Sequence, residues 1–267
     1  MSAKKRLDAI LVDRGLILSR EKAKATIMSG LVYVDGQKAV KAGMDVPEDA
    51  EIEVRPSHKT EYVSRGGLKL QKALDFFGID PAGLTVIDIG ASTGGFSDCL
   101  LKRDAAKIYA VDVGYGQLAW SVRTDPRVTV MERTNIRYVK EDDLTVRPDM
   151  AVIDVSFISL KLVLPVAKKL IKPEGRIVSL IKPQFEAGRE KVGKKGVVRD
   201  PAVHEEVLTG IIAFCAEIGM NVKDLTFSPI TGPEGNIEYL ALIEQGDSIF
   251  NKDIKKLVAD ANMSLKG

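Results

Sequence analysis

The chain has 267 residues, of which 45% are hydrophobic and 28% are charged, and its net charge is +2. This composition excludes disordered and fibrous proteins, and the apolar runs fall short of the roughly 20 residues that span a bilayer. Because its two cysteines stand outside any paired motif and no apolar signal follows the basic N-terminus, we expect a cytoplasmic protein without disulfides, bound metal or a secretory leader.

The first 58 residues (1–58) are predicted to form a small α+β unit. Apolar residues at helical spacing indicate two short helices, the first ending at Gly15 and the second capped by Ser19. Asp35 and Gly36 form a favoured two-residue hairpin turn between two short strands, and a third strand follows.

Basic residues are concentrated in this unit. Residues 1–41 contain nine Lys or Arg against four Asp or Glu, a local charge of +5, and the charged residues that follow, up to residue 54, are all acidic. This separation favours a basic face that binds nucleic acid, although a run of charge is also typical of plain solvated surface. The candidate RNA contacts are Lys4, Lys5, Arg6, Arg20, Lys22 and Lys24.

Residues 59–64 are predicted to be a linker, and residues 65–267 to form a larger α/β domain. Its strands are expected at residues 84–89, 107–113, 127–132, 150–155, 175–181, 221–228 and 238–244, and its helices at residues 96–103, 114–123, 159–171 and 201–218. Alternating strands and helices with nearly continuous apolar strands predict a doubly wound, mostly parallel seven-stranded sheet. Such a sheet binds its ligands at the carboxyl ends of the strands.

A glycine-rich turn follows the first strand of this sheet. Gly90, Gly94 and Gly95 let the backbone approach a ligand closely, at a spacing that differs from dinucleotide-binding and phosphate-loop motifs. Asp88 precedes the turn and can hold a cationic amino group, while Asp112 ends the next strand and can accept hydrogen bonds from a ribose diol. S-adenosylmethionine has both of these ends. The alternative is a tight structural turn with incidental acids.

Four charged residues occur where strand or core residues are expected. Asp154 and Lys182 each end an apolar strand. Lys69 lies on the helix that opens the large domain, and Glu238 starts a late strand. Taken alone, each of these residues is most simply explained as a charged side chain in solvent at the end of a strand or helix. Lys182 is different, because the ammonium at the end of such an apolar strand must be partly desolvated or paired.

These residues resemble the Lys-Asp-Lys-Glu tetrad of the FtsJ-like RNA ribose 2′-O-methyltransferases, which Lys69, Asp154, Lys182 and Glu238 match in order. The closer match is the TlyA group of that family, also known as hemolysin A. It rests on the motifs SRGG at residues 64–67, DVGYGQLAW at residues 112–120, DVSFISL at residues 154–160 and KPQFE at residues 182–186. Residues 5–55 also resemble an S4 RNA-binding domain, so the resemblance covers nearly the whole chain.

The resemblance implies a Rossmann-like class I methyltransferase that moves a methyl group from S-adenosylmethionine to a ribose 2′-hydroxyl, of a cytidine in ribosomal RNA. Lys182 would act as the general base, a role that contributes typically 10² to 10⁴-fold. Lys69 would favour the neutral form of Lys182 and stabilise the developing oxyanion. Asp154 would orient Lys182, and Glu238 would position the ribose or Lys69.

The cofactor is expected to contact the glycine turn and the ends of the next two strands. The candidate residues are Asp88, Gly90, Ser92, Thr93, Gly94, Gly95, Phe96, Asp112, Val113 and Asn135. Two positions depart from the wider FtsJ pattern. Ser92 and Thr93 replace the usual Ala-Pro, and Asn135 stands where many methyltransferases place an acid near the adenine.

A basic segment with several glycines follows the proposed base. It suits contact with RNA phosphates, although an ordinary exposed loop can have the same composition. Arg189, Lys194 and Lys195 in this segment are candidate RNA contacts, together with Arg65 in the SRGG motif.

Isolated histidines and aromatic residues carry weaker expectations. His58 and His204 have no neighbour at metal-ligand spacing and are expected on the solvated surface. Trp120, Phe157 and Phe185 are expected in the core or in the walls of the cofactor pocket.

Two other classes of function are compatible with the resemblance. The hemolysin name suggests a membrane-active protein, but no spanning helix, alternating barrel pattern or export signal supports it. The other alternative is a catalytically inactive RNA-binding factor for ribosome assembly, and the intact tetrad argues against it. We therefore expect ribosomal RNA or a ribosomal subunit as partner, and neither a membrane nor a metal.

Overall fold

The structure is a computed structural model that describes residues 4–17, 19–28, 30–39, 41–54, 61–193, 196–246 and 250–266. Contacts divide the chain into two compact units, Met1–Lys59 and Thr60–Gly267.

The first unit consists of two helices and short antiparallel strands. Its described elements are β1 (Lys4–Arg6), α1 (Leu7–Asp13), α2 (Arg20–Met28), β2 (Val32–Val34), β3 (Gln37–Lys38), β4 (Asp45–Pro47) and β5 (Ile52–Val54). Strand β2 lies between β3 and β5 in a three-stranded sheet, and β1 pairs with β4. The β1–β4 pair was not predicted, because the three basic residues of β1 carry no strand pattern.

The helix pair and the hairpin of this unit follow from local sequence. Leu7, Ile10 and Leu11 on α1 are buried together with Ala23 and Ile27 on α2, as the helical spacing of apolar residues requires. The hairpin between β2 and β3 turns through the Asp-Gly pair at residues 35–36, both with positive φ, which such a two-residue turn demands.

The second unit is a single large sheet covered by helices. Its strands are β6 (Thr85–Ile89), β7 (Lys107–Val111), β8 (Val128–Met131), β9 (Met150–Ile153), β10 (Arg176–Ile181), β11 (Met220–Phe227) and β12 (Tyr239–Gln245). Its helices are α3 (Gly66–Phe77), α4 (Gly95–Lys102), α5 (Trp120–Arg123), α6 (Leu160–Leu170), α7 (Pro183–Glu186), α8 (Pro201–Glu217) and α9 (Ile254–Lys266).

The strands lie in the order β11-β12-β10-β9-β6-β7-β8. Neighbouring strands from β10 to β8 are parallel, whereas β12 is antiparallel to both β10 and β11. The predicted doubly wound, mostly parallel sheet of seven strands is therefore confirmed.

Both faces of the sheet are buried, which explains its nearly continuous apolar strands. Successive residues of β6 alternate between the faces: Ile87 and Ile89 pack toward α6, α8 and α9, whereas Val86 packs toward α3 and α4. Both cysteines are free and buried among these helices.

The predicted helix over residues 114–123 is wrong in its first six residues, and only α5 is helical. Gly114 donates its N–H to the carboxylate of Asp112, and Gly116 adopts a positive φ and donates to Glu132. Two glycines cost helical stability, and both N–H groups find better acceptors outside a helix.

The segment between the units differs from a plain linker where it is described. Residues 59 and 60 lie outside the described residues, but Tyr62 is buried in the core of the second unit. Val63 donates its N–H to the carboxylate of Asp98 at 2.8 Å. Residues 61–64 therefore pack as part of the second unit.

Candidate active site

The direction of strand β12 brings the proposed tetrad to one edge of the sheet. Asp154 and Lys182 directly follow the parallel strands β9 and β10. Strand β12 runs the opposite way and pairs its first residue, Tyr239, with Ile181. Glu238, which precedes β12, is therefore placed at the same edge as Lys182.

The four tetrad side chains form two ion pairs. Lys182 Nζ lies 2.6 Å from Asp154 Oδ1, and Lys69 Nζ lies 2.5 Å from Glu238 Oε2. All are largely buried, Glu238 most of all with a side chain that is 2% exposed. Lys182 also donates a hydrogen bond to the hydroxyl of Ser156 at 3.0 Å. Pairing of this kind is what makes the burial of four charges tolerable.

Both ion pairs line one cavity of about 410 Å³. Its other walls come from the SRGG segment and the glycine turn, and from Ile230 and Pro233 on the loop before β12. Ser156, Ile230 and Pro233 were not identified from sequence. Ser156 stands inside the DVSFISL motif, which was the available signal, whereas Ile230 and Pro233 carry no chemistry that could have marked them.

A second cavity of about 370 Å³ adjoins the first, and the two share Gly90, Ser92, Asp154 and Ser156 in their walls. The second cavity is lined further by Asp112, Val113, Gln117 and Asn135 and by apolar side chains of Ile89, Ile136 and Ile158. Of the predicted cofactor residues, Thr93, Gly95 and Phe96 line the first cavity.

Asp112 organises the turn at the entrance to the second cavity. Its Oδ2 accepts the N–H of Ser92 at 2.8 Å, and its Oδ1 accepts the N–H of Gly114 at 2.6 Å. Ser92 adopts a positive φ of 48°, which this hydrogen bond supports. Asn135 accepts the N–H of Arg137 through its side chain and so caps the 3₁₀ turn at Ile136–Tyr138.

Two glycines of the turn are required by close approach of the backbone. A Cβ on Gly90 would lie 2.5 Å from the carbonyl oxygen of Asp154, and one on Gly95 would lie 2.2 Å from Ser64 Oγ and 2.9 Å from the nitrogen of Gly67. The first contact holds the glycine turn against the strand end that carries Asp154. The second packs the SRGG segment, and with it Arg65, against the start of α4.

Asp88 lies beneath the turn, outside the walls of both cavities. It is fully buried, and its Oδ2 accepts the hydroxyl of Ser97 at 2.6 Å. Its Oδ1 has no hydrogen-bond partner among the described residues. Contact between Asp88 and a cofactor therefore stays a prediction, and it would require access that this geometry does not provide.

Asp88 should make stability depend on pH. Burial raises the pKa of Asp88 from 3.8 to about 7, against the lowering effect of the Ser97 hydroxyl. The raised pKa means that the folded state holds the Asp88 proton more tightly than the unfolded state does. The stability that this proton provides is complete below about pH 4 and is lost as the pH rises to about 7. We expect Asp88→Asn to remove that loss. Urea unfolding at a series of pH values measures it, and equal pH slopes for variant and wild type would contradict it.

The aromatic and histidine expectations are wrong for Trp120 and His204. Trp120 is 77% exposed and lines neither cavity. Phe157 is 91% exposed and so lies outside the core, but it lines the second cavity, as one of the two expected positions requires. Phe157 lies against Phe185 with ring centroids 5.0 Å apart. His204, expected on the surface, is 1% exposed and bonded on both ring nitrogens. His58 lies outside the described residues.

The candidate RNA contacts of the second unit are only partly described. Arg65 lines the cavity of the two ion pairs, and Arg189 is exposed at a 3₁₀ turn. Lys194 and Lys195 lie outside the described residues.

In the first unit all six candidate basic residues are exposed. Arg6 and Arg20 converge on Asp8, a carboxylate with no exposed surface. Arg6 donates to it through two nitrogens, at 3.1 and 2.9 Å, and Arg20 donates to it at 3.2 Å. Lys5 pairs with Asp13 at 2.8 Å. The buried carboxylate thus orients two guanidinium groups whose side chains are 49% and 57% exposed.

Asp8 should stabilise the first unit at neutral pH. The hydrogen bond from Arg6 is the main cause that lowers the pKa of Asp8 from 3.8 to about 2, and the bond from Arg20 adds to it. A lowered pKa gives stability that is present above about pH 4 and lost as the pH falls to about 2. We expect Asp8→Asn to lower the unfolding temperature near neutral pH but to have little effect near pH 2. Circular dichroism during heating measures this, and a constant difference across that range would contradict it.

No helix among the described residues is both long enough and apolar enough to cross a membrane. Within the same ranges, no three His, Cys, Asp or Glu side chains are grouped so as to hold a metal ion.

Known proteins resemble this chain over nearly its whole length. The FtsJ-like methyltransferase family model matches residues 62–245, and the S4 domain model matches residues 5–52. The YqxC protein of Bacillus subtilis is 50% identical over 272 residues, which cover 99% of this chain and 96% of that protein.

Two further relatives cover both units. The 16S/23S rRNA (cytidine-2′-O)-methyltransferase TlyA of Mycobacterium tuberculosis is 45% identical over 239 residues, which cover 90% of this chain and 89% of that protein. A solved structure from Streptococcus thermophilus that bears the hemolysin name is 46% identical, with a TM-score of 0.77, and covers 99% of this chain and 98% of that chain.

Proposed function

Because the chain belongs to the FtsJ-like methyltransferase family and carries an S4 domain, we propose that it methylates the ribose 2′-hydroxyl of a cytidine in ribosomal RNA. The observation that carries this proposal is the pair of ion pairs, Lys182 with Asp154 and Lys69 with Glu238, in one cavity beside the glycine turn. The identity of the RNA is supported by the TlyA relative, whose name gives that substrate.

The residues of the second cavity fit S-adenosylmethionine as the methyl donor. Gly90 lines this cavity with backbone alone, and Asp112 and Asn135 offer polar groups after neighbouring strands. Asp112 would hold the ribose hydroxyls and Asn135 the adenine, while Ile136 and Ile158 would supply apolar walls. When bound, this cofactor supplies an electrophilic methyl group on a sulfonium.

Lys182 would remove the proton from the 2′-hydroxyl. A ribose hydroxyl is protonated at neutral pH and is a poor nucleophile, so a base within hydrogen-bond reach accelerates its attack. In the neutral amine form that follows release of a proton to solvent, Nζ of Lys182 would take the 2′-hydroxyl proton, and the ammonium that results would be stabilised by Asp154 at 2.6 Å. Ser156 accepts a hydrogen bond from Nζ and so helps to set its direction.

Lys69 would supply positive charge next to the oxygen that becomes nucleophilic. Its side chain is held by Glu238 from a different part of the chain, so the ammonium is in place before RNA binds. Such preorganised charge acts strongly in a site from which water is excluded. Arg65 on the rim of the same cavity would bind a phosphate of the RNA backbone.

The S4 unit would provide affinity for structured RNA through its exposed basic residues. Arg6 and Arg20, oriented by Asp8, suit bidentate contact with phosphate. A ribosomal substrate places the enzyme in the cytoplasm.

Incubation with S-adenosylmethionine labelled on its methyl group, together with purified small or large ribosomal subunits, tests this function. We expect label in RNA, at a cytidine whose 3′-phosphodiester bond resists alkaline cleavage because its 2′-oxygen carries a methyl group. Label in protein or on a base, or no transfer to either subunit, would overturn the proposal. RNA binding without transfer would instead favour the inactive assembly factor.

A further inference from the structure

Glu238 is flanked by two side chains that fasten a distant segment of the chain. Asn236 and Tyr239 stand on either side of it in sequence, and both are almost completely buried. Through Asn236 directly, and through Tyr239 by way of His204, the start of β12 is bonded to residues 196–198. These residues belong to the basic loop, defined here as the described residues 188–193 and 196–199, which also carry Arg189 and Arg199.

Asn236 uses its side chain to bind two backbone groups of that loop. Its Oδ1 accepts the N–H of Val198 at 3.0 Å, and its Nδ2 donates to the carbonyl of Gly196 at 2.8 Å. Its own carbonyl accepts the N–H of Gly232 at 2.9 Å, which ties in the loop that carries Ile230. A 3% exposed amide that is bonded at both ends is specific for one arrangement of the backbone.

His204 completes the attachment from helix α8. Its Nε2 lies 3.0 Å from the carbonyl of Val198, and its Nδ1 lies 2.9 Å from the hydroxyl of Tyr239. Because a carbonyl can only accept, Nε2 carries the proton, and Nδ1 then accepts the hydroxyl proton of Tyr239. Both backbone groups of Val198 are therefore held by side chains.

This attachment connects the basic loop to the catalytic wall. Connecting loops ordinarily run over the surface and are variable in position, whereas residues 196–198 are bonded by three polar groups from buried side chains. Arg199 directly follows Val198 and is exposed. A displacement of the loop would therefore break hydrogen bonds to Asn236, two residues before Glu238, and to His204, which bonds to Tyr239 directly after Glu238.

We propose that Asn236 and His204 are positioning residues that fix the position of the basic loop relative to Glu238. RNA that binds to the loop through its phosphates then has its ribose placed in the catalytic cavity. This inference rests on the proposed function and deepens it. Neither residue touches the reacting atoms, and both act through the position of the loop.

Loss of the attachment should affect use of RNA more than chemistry or cofactor binding. We expect Asn236→Ala to raise the KM for ribosomal subunits about tenfold, with kcat changed less than about threefold and the Kd for S-adenosylmethionine unchanged. His204→Phe, which removes both ring nitrogens, should act similarly. His204→Gln keeps a donor for the carbonyl of Val198 and should restore much of the loss, so the proposal can be tested even if Asn236→Ala does not fold.

A double-mutant cycle separates positioning from a general structural role. The partner variant is Arg189→Gln with Arg199→Gln, which removes two positive charges from the loop and should itself raise the KM. In that background we expect Asn236→Ala to add less than about twofold, because the loop then has little to position. Equal effects in both backgrounds, a loss confined to kcat, or no rescue by His204→Gln would overturn the proposal.

Filter binding of the same variants to ribosomal subunits keeps this test independent of methyl transfer. The coupling between Asn236→Ala and the loop variant should be the same when it is measured in Kd as when it is measured in KM. If the wild type binds subunits but transfers no methyl group, the proposed function fails while the Kd cycle still decides the role of Asn236. Thr209→Ala on α8, whose hydroxyl bonds only to the carbonyl of Glu205 among the described residues, is the matched control and should leave Kd unchanged.

Discussion

Lys182→Ala should lower kcat for methyl transfer by roughly a hundredfold to ten-thousandfold, the usual contribution of a general base. The variant removes the only proton acceptor that we assign in the cavity, and it leaves Asp154 without the ammonium that lies 2.6 Å away. Single-turnover transfer to saturating ribosomal subunits measures the effect. The Kd for S-adenosylmethionine, measured by calorimetry, should change little, since Lys182 does not line the second cavity.

Two variants control for a loss of fold. Lys182→Met keeps the length of the side chain without its charge and should be as inactive as the alanine variant. Lys172→Ala breaks an ion pair of similar length, 2.5 Å to Asp149, which precedes β9 at the opposite end of that strand from Asp154. It should retain turnover within about twofold, since this pair is partly exposed and lies outside both cavities. Turnover by Lys182→Met near the wild-type rate would reject Lys182 as the base.

Glu238→Ala should be the most destabilising single change in the tetrad. It would leave the ammonium of Lys69, whose side chain is 9% exposed, without its partner in a buried site. Removing one member of a buried pair typically costs about 3–5 kcal/mol of folding free energy, because the remaining charge is desolvated and unpaired. This is a large part of the stability of an ordinary domain, which is about 5–15 kcal/mol.

The comparison with the double variant isolates the cause. Lys69→Met with Glu238→Leu removes both charges, and we expect it to lose much less stability than Glu238→Ala alone, because no uncompensated charge remains. Urea unfolding followed by circular dichroism gives these free energies. Both variants should be inactive. If the double variant were less stable than Glu238→Ala, the explanation that Glu238→Ala leaves Lys69 as an unpaired buried charge would be wrong.

Much of the fold could be read from the chain because its signals are local. Apolar strands of β6, β9 and β10 with helices between them predict a parallel sheet, and the Asp-Gly turn at residues 35–36 predicts the first hairpin. The strands β1 and β4, which pair with each other, carry no such signal and were not predicted. Helix α9 was also not predicted, although Ile254, Leu257, Val258 and Ala261 follow the helical spacing of apolar residues. The helix predicted at residues 114–123 is too long, because Gly114 and Gly116 form a turn before α5.

The candidate site was predictable where chemistry follows directly from position in the chain. Asp154 and Lys182 end parallel strands, so their meeting at one edge follows from the topology. His204 misled because a lone histidine carries no sign of burial. Its partners, Tyr239 and the carbonyl of Val198, are 35 and 6 residues away.

The sequence by itself determined the class of sheet, the glycine turn and which charged residues stand out, because periodicity and strand ends are properties of neighbouring residues. Only the tertiary structure decided how the charges pair. Lys69 and Glu238 are 169 residues apart and meet because β12 enters the sheet antiparallel beside β10. Burial on both faces of the sheet then makes that pairing necessary, since a buried charge without a partner is costly.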